Sequence, residues 1–199
     1  MLMKRNSQIL VIILFLLIPF GNCLICLDVA EEILPLKIGN EWIENICRYN
    51  SYGNVNCHKR ITKVIADTLI NSEKFYILEV SDSTGKVISR KYFTNKSDGL
   101  YSIDKNKQVM ILKYPVQSGE IFIGMTDTVK VDSLDVTVQL SGNNYKCIRY
   151  SVERNYNVSF KMYIYCSPGI GRILYEIYGI KDGKEELKEK WELLEYKLK

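Results

Sequence analysis

LDVTVQLSGNNYKCIRYSVERNYNVSFKMYIYCSPGIGRILYE, residues 134–176, decides the fold. Within it Leu134, Val136, Val138 and Leu140 alternate with Asp135, Thr137 and Gln139. Val158, Phe160, Met162, Ile164 and Cys166 alternate in the same way with Ser159, Lys161, Tyr163 and Tyr165. Successive strand side chains point to opposite faces, so a period of two marks antiparallel strands with one face on a core. Gly142-Asn143-Asn144 and Pro168-Gly169-Ile170-Gly171 supply turns.

The pattern continues upstream. Trp42–Asn50 and Val55–Ala66 read as a hairpin about Ser51-Tyr52-Gly53. Further short strands follow over 74–81, 86–94, 100–103, 109–114 and 128–131, with turns at 67–72, Asp82-Ser83-Thr84-Gly85 and Asp98-Gly99. Residues 30–34 read as a short helix or an irregular lead-in. The tail fits two periods. Leu187, Trp191, Leu194 and Leu198 fall at helical spacing, whereas Leu194, Tyr196 and Leu198 suit a strand returning from Asp182-Gly183. The strand is preferred, because residues 172–180 otherwise lack a partner.

At the N-terminus, Lys4 and Arg5 precede an apolar run over 9–20 that is broken at Pro19 and Gly21. This is the form of a secretion signal over residues 1–23, and the run is short for a membrane-spanning helix. Gly21-Asn22-Cys23 offers small residues for cleavage, with acylation of Cys23 as the alternative. Removing residues 1–23 takes away Lys4 and Arg5 and no acidic residue, leaving 25 basic against 23 acidic residues. So even a balance implies no nucleic-acid partner. Residues 24–199 suffice for one domain, and no linker or repeat divides them.

An exported chain with six cysteines points to disulfides. If Asn50 faces Asn54 in the first hairpin, Cys47 stands opposite Cys57, within reach of a bridge. Cys147 and Cys166 form a second candidate pair. Hydrophobic register opposes it, setting Ile148, Tyr150 and Val152 on the side of Val158, Phe160 and Met162, so that Lys146 or Ile148 faces Cys166. That bridge needs a bulge.

Chemistry-bearing motifs are sparse. His58 is the only histidine; beside Cys57 on a strand it points to the other face, which disfavours a metal site with Cys47 and Cys57. No G-x-S-x-G elbow is present. Asp82-Ser83-Thr84-Gly85 reads as turn chemistry, and Gly169-Ile170-Gly171 lacks the rest of a dinucleotide fingerprint. No cofactor is expected. The fourteen tyrosines and two tryptophans are the richest feature of the composition. Tyr163 and Tyr165 fall on an outer strand face, where they would grip a partner or be covered by another layer. Asn95 and Asn157 open glycosylation acceptor triplets.

LPLKIGNEW (34–42), GLYSID (99–104), LKYPVQSGE (112–120), CIRYS (147–151) and SPGIGRILYE (167–176) together carry a resemblance. The chain resembles uncharacterised bacterial exported and lipoprotein-like β proteins, which open with a PLxxGNxW-like motif and close with a PGIGxxxYE-like turn and strand. The resemblance implies an antiparallel β domain at or beyond the cell envelope and a strand in the tail. It implies no activity.

The expected fold is all-β: a strongly curved antiparallel sheet, closed or half-closed into a barrel, with a β-sandwich as the alternative and a helical tail as a variant. The expected role is non-enzymatic binding or structure in the periplasm, at the outer membrane or outside the cell. Candidate partners are a protein, a glycan or an apolar small molecule, with membrane association only through a lipid anchor. The alternative is a secreted hydrolase using acidic residues. Two features separate these readings: a cavity that side chains do not fill, or carboxylates converging in a cleft.

Overall fold

The structure, a computed structural model, describes residues 32–50, 52–124, 127–155, 159–181 and 183–199. The segment 1–23 read as a secretion signal, Cys23 included, lies outside these residues. Twelve strands run in chain order: β1 (Glu41–Tyr49), β2 (Val55–Ile70), β3 (Glu73–Asp82), β4 (Val87–Lys96), β5 (Gly99–Asp104) and β6 (Lys107–Lys113), then β7 (Ile121–Gly124), β8 (Asp127–Leu140), β9 (Asn143–Asn155), β10 (Ser159–Ser167), β11 (Gly171–Lys181) and β12 (Lys184–Lys197). They form one antiparallel sheet in the order β6-β5-β4-β3-β2-β1-β12-β11-β10-β9-β8-β7. The sheet curves until its edge strands β6 and β7 approach each other, giving a nearly closed barrel. The sandwich is excluded, and so is a helical tail.

Two meanders make up this order, one over β1–β6 and one over β7–β12, and the tail strand joins them. β12 pairs with β11 as expected, and on its other side with β1, where Trp42 faces Tyr196 and Ile46 faces Trp191. A helix there would leave both meanders with an open edge.

Turn chemistry explains the tight connections. Asn71-Ser72, Lys105-Asn106 and Ser141-Gly142 all have positive φ, the conformation of two-residue turns that match the twist of a hairpin. The second strand therefore runs on through residues 67–70, expected as a turn, by means of a bulge between Val64 and Ala66. The expected strand over 128–131 and the first segment of the deciding stretch merge into β8. Bulges between Val131 and Ser133 and between Ser133 and Val136 slip its alternation, and Leu134, expected inward, is 44% exposed.

The register of β9 and β10 follows the hydrophobic expectation: Val152 faces Met162, Tyr150 faces Ile164 and Ile148 faces Cys166. Here the cysteines part company. Cys47 stands opposite Cys57 and is bonded to it. Cys147 and Cys166 remain free, buried thiols, because Ile148 and not Cys147 occupies the place opposite Cys166.

Residues 32–40 are an irregular lead-in that closes one end of the barrel and buries Ile33 and Leu36. Asn40, fully buried, anchors it. Its amide donates to the Pro35 carbonyl at 2.8 Å, and its side-chain oxygen accepts from the Lys199 backbone N–H at 2.8 Å. Trp42 Nε1 donates to the Ile170 carbonyl at 2.7 Å, and Gly169 N–H donates to the Glu32 carbonyl at 2.8 Å. LPLKIGNEW and SPGIG, remote in sequence, thus close the same end. Gly171 belongs to this contact: its φ is +109°, and a Cβ there would meet Leu34 Cδ1 at 2.7 Å.

Candidate functional site

A cavity of about 220 Å³ lies inside the barrel. Much of its wall is apolar, formed by Ile33, Leu78, Leu100, Leu112 and Cys166, all buried. Its other part is charged, lined by Glu44, Arg60, Lys91 and Arg172 beside Trp42 and Trp191.

The charged residues stand on strand rows otherwise occupied by core residues. Glu44 alternates with Trp42 and Ile46 in β1, and all three are buried. Arg60 faces Glu44 directly across the β1–β2 ladder. Its Nε and Nη2 donate to Glu44 Oε2 at 3.2 and 2.6 Å. Arg172, near the start of β11, reaches the other oxygen, Nε donating to Oε1 at 3.0 Å with Nη2 beside it. One carboxylate therefore accepts two forked guanidiniums, a strong and orientation-specific arrangement. Both guanidiniums also pack over Trp191, 3.9 Å from the ring centroid for Arg60 and 4.4 Å for Arg172. Tyr175 lies against the same ring at 5.0 Å.

Electrostatics follow from this geometry. Burial pushes the Glu44 carboxyl up, but the attraction of Arg172 and Arg60 and their hydrogen bonds outweighs it and holds the group below the usual carboxylate value. Burial pulls Arg60 below its usual value, which Glu44 opposes and Arg172 reinforces. Lys91 is exposed on the rim and also sits below the usual lysine value, through its protein surroundings first and then through repulsion by Arg60 and Arg172. Among the described residues no carboxylate forms an ion pair with Lys91. Glu189 accepts from Trp191 Nε1 and pairs with Arg48 at 2.9 Å, so its charge is spent nearer the rim.

The cavity is thus graded. Glu44 retains 6% of its side-chain surface, Arg60 16% and Arg172 30%, so exposure rises through the charged end toward solvent. Glu44 has both oxygens committed and is poorly placed to take a proton from a substrate.

The residues singled out in the sequence lie elsewhere. The Cys47–Cys57 bridge falls on the outward row of β1, where the Asn45 amide donates to Cys47 Sγ. Tyr163 is half-buried, edge-on to Tyr178 with ring centroids 5.8 Å apart, and Tyr165 packs on the core. His58 is exposed. Among the described residues no three His, Cys, Asp or Glu side chains gather as a metal site. Asp82 Oδ1 accepts from Thr84 N–H at 2.9 Å and Lys86 N–H at 3.1 Å, an ordinary turn. Asn95 uses its amide to hold the Leu34 carbonyl at 2.8 Å, while Asn157 lies outside the described residues. Cys166, Gly171 and the two tryptophans do line the cavity. The Glu44–Arg60–Arg172 group was missed, although charged residues in phase with Trp42, Ile46 and Val64 are its sequence signal.

Solved structures share this barrel. A Bacteroides fragilis protein, described provisionally as exported and of YmcC-like fold, aligns with a TM-score of 0.56 at 14% identity, over 85% of this chain and 100% of its own. A Parabacteroides distasonis protein, described provisionally as a lipoprotein, aligns with a TM-score of 0.54 at 11% identity, over 84% of this chain and 99% of its own. At such identities the likeness is one of fold. No family model and no curated protein matches the chain.

Proposed function

We propose that this is an exported, non-enzymatic binding protein whose barrel interior holds a small, largely apolar molecule. The cavity carries the reading: about 220 Å³ remains unfilled beside Leu78, Leu100 and Leu112. A cavity of about 150 Å³ already accepts benzene, so the space suits a ring with a short chain or a medium alkyl chain. Export is supported by the signal-like N-terminus, by the disulfide and by the provisional descriptions of both fold neighbours. The hydrolase alternative needs two converging carboxylates, and among the described residues Glu44 is the one carboxylate lining the cavity.

Trp42 and Trp191 are the chain's two tryptophans, and both line the cavity. Intrinsic fluorescence therefore reports the site directly. Titration with 1-decanol is expected to shift the emission saturably, and Ile164→Phe, which adds bulk to the cavity wall, to abolish the shift while retaining the β-sheet circular dichroism. An unchanged titration in Ile164→Phe would place the probe elsewhere.

A further inference from the structure

The cavity wall gathers more positive than negative charge. Each Glu44 oxygen takes one forked guanidinium, and Lys91 adds a third cation to the lining. With the Arg48–Glu189 pair set against itself, the mouth carries two positive charges in excess. Like charges held together beside an apolar wall are costly unless an anion joins them. Each guanidinium has five N–H donors and directs only Nε and Nη2 at Glu44. Among the described residues the Arg60 and Arg172 nitrogens are not among those buried without a partner, so their other N–H groups meet solvent or the cavity. Glu44 and Trp191 fix both forks in place, which lowers the ordering cost of binding.

We infer that the molecule in the barrel is an amphiphile with an oxyanion head, a carboxylate or a phosphate, gripped by Arg60, Arg172 and Lys91, with its apolar body against Leu78, Leu100 and Leu112. This rests on the cavity-binding reading and specifies its ligand class. The head meets the cationic side chains and the chain the apolar wall beside them, so a neutral alcohol of equal length fills the same space without its strongest contacts.

The test is calorimetric titration of the intact exported protein with decanoate, decyl phosphate and 1-decanol. At least one of the two acids is expected to bind tenfold or more tightly than the alcohol, and to weaken several-fold in 0.5 M sodium chloride while the alcohol does not. Lys91→Met is expected to weaken the acids several-fold and so to narrow the gap between acids and alcohol. Whichever acid binds more tightly identifies the head as carboxylate or phosphate. Equal, salt-insensitive binding of acids and alcohol would overturn the oxyanion head and leave the cavity reading standing. Binding of none of the three would overturn both.

Discussion

Arg172 and Glu44 are 128 residues apart in sequence, and the Arg172 guanidinium donates through Nε to Glu44 Oε1 at 3.0 Å. Arg172 lies in β11 and Glu44 in β1, with β12 between them, so this contact spans the junction of the two meanders. Losing the carboxylate would leave two guanidiniums facing each other on a half-buried wall. Glu44→Gln is therefore expected to cost about 3 kcal/mol, in the range for breaking one side of a buried ion pair. Urea unfolding monitored by tryptophan emission measures it, and a loss below about 1 kcal/mol would mean that water screens the pair.

Acid should find the same weak point. In the folded chain Glu44 holds its proton less tightly than in the unfolded chain, so its contribution is present above the ordinary carboxyl value of 4.5. As the pH falls below that value the unfolded state binds the extra proton and the contribution drains away. Stability measured from pH 7 to pH 3 should decline along this limb, and the decline should be shallower in Glu44→Gln.

The disulfide has a different task. Cys47 and Cys57 are 10 residues apart and lie on the row facing away from the cavity. Closing so short a loop stabilises by about 2–3 kcal/mol in the chain-entropy account. Reduction, or Cys47→Ser with Cys57→Ser, is expected to lower the unfolding free energy by that amount and to leave decanol binding at 25 °C unchanged. Lost binding in a folded, reduced protein would show that the bridge shapes the cavity.

Cys147 and Cys166 make a chemical probe of the interior. Burial pushes both thiols up to about 12, so little thiolate exists at pH 8. Iodoacetamide at pH 8 is expected to spare both in the native protein and to label both in urea, as read by peptide mapping. Selective native labelling of Cys166, which lines the cavity, with protection by decanol, would show that water reaches the apolar end.

Most of the fold was legible because alternation and turn residues act locally. Cys47 opposite Cys57 follows from period two and loop length, and hydrophobic register narrows the place opposite Cys166 to Lys146 or Ile148, of which Ile148 holds it. The tail fits two periods, and the strand is preferred because residues 172–180 otherwise lack a partner. The pairing of β12 with β1 was not legible, since nothing local to Trp191 names Ile46 as its neighbour. Leu134 was misread because bulges in β8 are set by fit to β9 rather than by composition. The site failed for a related reason. Glu44, Arg60 and Arg172 each look like an ordinary strand charge, and they become a cluster only when β1, β2 and β11 curve around one space.

Intact mass measured under native and then denaturing conditions, on protein exported by a bacterial host, shows whether the barrel holds a molecule. The native mass is expected to exceed the denatured mass by one small amphiphile, with that excess missing from Ile164→Phe. Identical native and denatured masses, in a protein that also fails to take up decanol or decanoate, would contradict it.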